Sequence, residues 1–186
     1  MTIEDIAQQK GWNLAFLKAI ASIESSGEGL VPDPVTMTGR PKVRFEPHKF
    51  NKKSQLKMPF TDGGKGFSKV KSETNWNAFC TALKIDRELA IASTSFGMFQ
   101  IMGFNWKTAG AKSLEDFFKG NYSEDKQLEY FSNFVGSHAG RRKILERSEI
   151  TLADCVAFAK SYNGPSNADS YGKKIWAAYN KHKETA

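Results

Sequence analysis

The chain has 186 residues, a quarter of them charged, with a formal net charge of +7. That length suits one domain with a buried core, and no apolar run approaches the roughly 20 residues that a membrane-spanning helix needs. Two cysteines and three scattered histidines supply no zinc framework, so neither metal nor cofactor is expected. Cys80 and Cys155, set among aromatic and aliphatic neighbours, read as reduced core thiols.

In chain order, the opening "MTIEDIAQQKG" is acidic and amphipathic, unlike a secretory signal. Either the protein stays in the cytoplasm or another agent releases it. Thr2 caps a first helix that Gly11 ends. Asn13 caps a second, "LAFLKAIASIES", whose apolar residues recur at three- and four-residue steps up to Gly27. Residues 28–72 lose that period and gain Gly, Pro and Lys. Here "KVRFE" alternates as a short strand would and "TDGGKG" reads as a turn, so a small irregular β-lobe with one hairpin is expected. Helical patterning returns in "NWNAFCTAL", in "RELAIA" after Asp86, in "LEDFFKG" after Ser113, and in "EDKQLEYFSNFVG" after Ser123. Thr151 and Asp154 form a capping box for "LADCVAFAKSY", and a last helix covers "DSYGKKIWAAYNKHK". The expectation is a mainly α (α+β) single domain over residues 1–186, with the β-lobe inserted between helices.

Lysines crowd the stretch from Lys49 to Lys71, and Arg141, Arg142 and Lys143 form a second cluster. A basic surface speeds encounter with polyanions. "GRRKILER" lacks the interleaved aromatics of a nucleic-acid face, which weakens that partner beside anionic lipid headgroups, acidic cell-wall polymers or a solvated face with no partner.

Three stretches carry chemistry. In "AIASIESSG", Glu24 lies over Ile20 and Ala21 and in line with Leu17, on the apolar side of its helix. Desolvation and the carbonyl end of the helix both disfavour its anion, which suits a general acid; the other reading of this residue alone is a structural Glu bonded to a backbone amide or an arginine. In "STSFGMFQIMGFN", Gln100 is a lone amide among apolar residues and requires partners, either protein groups or a ligand's hydroxyl and acetamido groups. In "SYNGPS", Tyr162 and Asn163 precede a helix stop and offer a flat ring, a hydroxyl and an amide.

Together the stretches resemble the lysozyme-like superfamily of goose-type lysozymes and lytic transglycosylases. The chain is more closely similar to the N-acetylmuramidase domain of bacteriophage endolysins, whose motifs appear in order as "IESSG", "GRPKVRFEPHKF", "GMFQIMGFN" and "YNGP". Two departures are "DPVTMT", extra length ahead of "GRPK", and Ser166, where the family often has glycine. The resemblance implies a lysozyme-like fold, a monomer, and hydrolysis of the β-1,4 bond between N-acetylmuramic acid and N-acetylglucosamine in peptidoglycan, after release from the host cytoplasm at lysis. No separate wall-binding module is recognised, and the basic surface is expected to stand in for it by attracting anionic outer-membrane or wall polymers rather than nucleic acid. Glu24 is then the general acid. Glu46 leads as second carboxylate, with Arg44 and Lys42 near enough in sequence to keep it ionised, and Asp33 and Asp62 follow it. Gln100, Tyr162, Asn163, Ser95 and His48 are assigned to the cleft or to its support. The alternatives are a lytic transglycosylase using the same Glu24 and a non-catalytic basic wall-binding protein.

Overall fold

Side-chain caps set most helix boundaries. Thr2 and Asp5 form a capping box for α1 (Ile3–Lys10), and Gly11 closes it in a left-handed conformation. Asn13 caps α2 (Leu14–Ser25) by accepting from the Phe16 N–H, while its own amide donates to the carbonyls of Arg147 and Ser148. The cap thus also ties α2 to a distant loop. The computed structural model describes residues 1–33, 36, 38–53 and 72–184. "TDGGKG", Asp62 and much of the lysine-rich run lie outside those residues.

At the end of α2 the first left-handed residue is Ser26 (φ 63°), one position before Gly27, which is also left-handed (φ 80°). Their N–H groups return to the carbonyls of Ser22 and Ala21. The chain therefore stops just past Glu24 and turns away.

β1 (Leu30–Pro32) and β2 (Gly39–Pro41) form an antiparallel hairpin with Leu30 opposite Pro41. The strand expected in "KVRFE" forms as β3 (Val43–Phe45), but its partner lies well beyond the lobe. β3 pairs with β4 (Thr94–Phe96), which pairs in turn with β5 (Ile101–Met102). These two short strands went unread because all three β4 residues are buried and leave no polar alternation to see. A single 3-10 turn, Gly103–Asn105, follows β5.

Six further helices follow the expected pattern: α4 (Ser72–Ile85), α5 (Arg87–Ala92), α6 (Leu114–Gly120), α7 (Glu124–Gly136), α9 (Leu152–Asn163) and α10 (Ala168–Glu184). Two helices were not expected. α3 (Pro47–Lys53) opens on proline, whose fixed φ suits a first helical position. α8 (Ala139–Leu145) is capped by the His138 ring, outside the usual capping set.

Aromatic rings knit the helices together. Phe16 of α2 is fully buried and meets Phe158 edge-on at 5.2 Å and Tyr179 at 6.2 Å. Phe99 stacks on Phe131 at 3.8 Å. Pairs of this kind add about 0.5–1.5 kcal/mol each beyond the area they bury. α10 packs on both α2 and α9. It approaches α9 closely at Gly172, where an added Cβ would sit 2.7 Å from the Val156 Cα.

Both cysteines are free thiols. Cys155 is fully buried, and burial pushes its thiol up to about 12. Within the second basic cluster, Arg141 is an interior residue: it donates to the carbonyls of Ser161 (2.6 Å) and Phe134 (3.3 Å) and lies over the Phe134 ring. Arg142 pairs with Glu146 at 3.6 Å. This cluster anchors α8 rather than presenting three free cations. No helix among the described residues is long and apolar enough to cross a membrane.

Candidate active site

A cleft of about 600 Å³ opens where the end of α2, the β3–β4–β5 sheet and the α9–α10 connection meet. That volume is within the range of small-molecule and saccharide clefts. Glu24, Arg44, Glu46, Ser95, Gln100, Tyr162 and Asn163 all line it.

Glu24 sits half-buried at the carboxyl end of α2. Burial raises its pKa above the ordinary carboxylate value, opposed by hydrogen bonds from Tyr171 and Asn163 and by the charge of Arg44. The Asn163 amide donates to Glu24 Oε1 at 3.3 Å. Asn163 is the last residue of α9, and Gly164 (φ 89°) turns the chain into a 3-10 turn at Pro165–Asn167. α10 follows directly and returns Tyr171 to the same carboxylate.

Glu46 follows β3 and is mostly buried. Arg44 Nε lies 3.2 Å from one of its oxygens and His48 Nδ1 lies 3.4 Å from the other. Lys42, expected near Glu46, instead donates to the Ser25 carbonyl and pairs with Glu28 at 3.3 Å. Its ammonium thus secures the end of α2. His48 holds the outer side of Glu46 and does not itself line the cleft. Asp33 stands in the β1–β2 hairpin, where it accepts from the Thr36 N–H and approaches Arg40 at 3.9 Å. It takes no part in the cleft lining, and Asp62 lies outside the described residues.

Gln100 has its amide satisfied by protein. Nε2 donates to the carbonyls of Gly97 (2.8 Å) and Lys42 (3.3 Å), and Oε1 accepts from Ser95 Oγ (3.1 Å). Its backbone is left-handed (φ 48°), an uncommon state for a residue other than glycine. Ser95 and Gln100 therefore brace the turn between β4 and β5 against β3. Tyr162, expected as a sugar contact, has its hydroxyl committed to the Phe99 carbonyl at 2.7 Å and its ring stacked on Phe158. That bond joins α9 to the β4–β5 turn beneath the cleft.

Behind the turn, Gln127 of α7 is buried. It accepts from the Met98 N–H (2.7 Å) and donates to the carbonyls of Gly29 (3.1 Å) and Asn121 (2.7 Å). Its side chain occupies the space where a Cβ on Gly97 would be, and Gly97 has φ 74°. Glycine is required there twice over.

The sequence reading missed Tyr171, and with it Asn167, Ser170 and Lys174. All four line the cleft at three- and four-residue spacing across the start of α10. The signal was present in "NADSYGKK": a polar stripe beside an apolar one. The stretch from Asp169 onward is read from sequence only as the start of a last helix. Phe104, also in the lining, is 55% exposed, with Lys49 over its ring at 5.6 Å.

Comparison with known proteins matches the N-acetylmuramidase family over residues 13–183. Among solved structures, the chain is similar to the crystal structure of Burkholderia AP3 phage endolysin, with a TM-score of 0.70 and 27% sequence identity. The match covers 98% of this chain and 69% of that one. No curated protein matches.

Proposed function

From the premise that the chain belongs to the N-acetylmuramidase family, and so is a lysozyme-like peptidoglycan hydrolase, we propose that it cleaves the β-1,4 bond between N-acetylmuramic acid and N-acetylglucosamine with Glu24 as general acid. The observation that carries this reading is the setting of Glu24: a carboxyl group in the lining of an open cleft, hydrogen-bonded by Asn163 and Tyr171, whose pKa burial raises above the ordinary carboxylate value. As the glycosidic C–O bond breaks, the Glu24 proton passes to the leaving oxygen. Asn163 and Tyr171 then stabilise the carboxylate left behind. Glu46 accepts the proton of the attacking water, with Arg44 and His48 fixing its orientation. Gln100, Ser95 and Tyr162 serve as positioning residues that hold the cleft's sheet-side wall.

The test is turnover on purified peptidoglycan. Glu24→Gln is expected to keep its fold and wall binding while losing nearly all activity. Glu46→Gln is expected to lose about a hundredfold or more in kcat, the scale of one acid–base group. Wild-type products should carry reducing ends. Anhydro-muramyl ends would instead identify a lytic transglycosylase, and undiminished turnover by Glu24→Gln would overturn the assignment.

A further inference from the structure

The charges around the cleft do not balance for a neutral ligand. Five charged side chains line it: Glu24, Glu46, Arg44, Lys49 and Lys174. Glu24 is held toward its neutral form, and Arg44 is paired with Glu46. Subtracting these leaves two ammonium groups in the same lining, Lys49 on α3 and Lys174 on α10. Among the described residues neither has a carboxylate within ion-pair distance; the Lys49 ammonium approaches only the Met102 sulfur, at 3.7 Å, and the Phe104 ring. Lys174 follows Ser170 and Tyr171 on one face of α10, so its stem rises from the wall that supports Glu24.

A strand of N-acetylated hexosamines offers hydroxyl and acetamido groups, all neutral. Two unpaired cations contribute little to holding it. The acid in this polymer is on the 3-O substituent of the muramyl residue: the lactyl carboxylate when no peptide is attached, or the carboxylates of the stem peptide when one is. This inference rests on the muramidase reading above. We propose that Lys49 and Lys174 form an anion-binding pair that recognises a carboxylate on the muramyl 3-O substituent, and so select acidic muramyl strands over neutral ones.

The test measures binding by calorimetry at low salt, in the Glu24→Gln background so that nothing turns over. Four tetrasaccharides are compared: alternating strands bearing the stem dipeptide L-Ala-D-Glu, the same strands with both glutamyl carboxyls converted to carboxamides, peptide-free strands with the lactyl carboxylate, and chitotetraose. The acidic-stem strand is expected to bind about fivefold more tightly than its carboxamide, the scale of two partly exposed ion pairs, and the gap should shrink as salt is added. In Lys49→Gln/Lys174→Gln the gap should close. A preference for the peptide-free muramyl strand over chitotetraose that is lost in the same variant supports the lactyl group as the carboxylate recognised; a preference confined to the dipeptide strand supports the stem. No preference for acid over its neutral counterpart in either pair, or a preference that survives the double substitution, overturns the proposal. A parallel cleavage assay of wild-type protein on the acidic-stem strand separates the two ideas: absence of cleavage removes the muramidase reading, while the binding ratios still judge the lysine pair.

Discussion

The phenol of Tyr171, on the last helix, hydrogen-bonds the carboxylate of Glu24 at the end of the second. The contact favours the anion, whereas burial favours the acid, and burial is the larger effect. Glu24 is therefore biased toward its protonated form, yet it has a donor in place for the anion.

Removing that donor has a signed consequence. In Tyr171→Phe the anion loses a hydrogen bond, so the Glu24 pKa rises further. A general acid is active while protonated, and the basic limb of the kcat/KM profile should move to higher pH. At the same time kcat should fall by about tenfold, the worth of one hydrogen bond to a charged group. A pH–rate series on soluble glycan strands checks both, and an unmoved basic limb would remove Tyr171 from this role.

Glu24 also costs stability. Its folded pKa lies above the ordinary value of 4.5, so the folded state binds the proton more tightly than the unfolded one. Stability then falls as pH rises from about that ordinary value through the raised folded pKa, and the full penalty persists above it. Glu24→Gln should melt at a higher temperature than wild type at pH 8, with the difference vanishing below about pH 4. Thermal melts across that range decide it.

The support behind the site is equally testable. Gln127→Ala strands the Met98 N–H and two carbonyls in a buried space. It should cost about 3 kcal/mol by denaturant unfolding. The surviving folded fraction should show lowered kcat, because the turn carrying Gln100 loses its backing.

Much of this architecture was readable from local chemistry. Asn13, Asp86, Ser113, Ser123 and Thr151 each cap the helix expected after them. Glu24 stood out because one acid shared a face with Leu17, Ile20 and Ala21, all now seen to be buried. What escaped depends on distance along the chain. Nothing near "KVRFE" announces that its partner is Thr94–Phe96, because pairing across such a separation is chosen by the packed sheet rather than by a turn. Tyr171 escaped for the same reason: a tyrosine on a terminal helix becomes a partner for Glu24 only once α10 lies on α2. Gln100 and Tyr162 were noticed as polar groups in apolar company, but whether such a group meets a ligand or a neighbouring carbonyl is fixed by tertiary geometry.

The hydroxyl of Tyr162 crosses beneath the groove to the Phe99 carbonyl. It pins the end of α9 to the turn that follows β4. On the proposed muramidase reading, a polymer seated along that pinned wall would bend its reacting ring at the expense of the free energy gained by seating its distant rings.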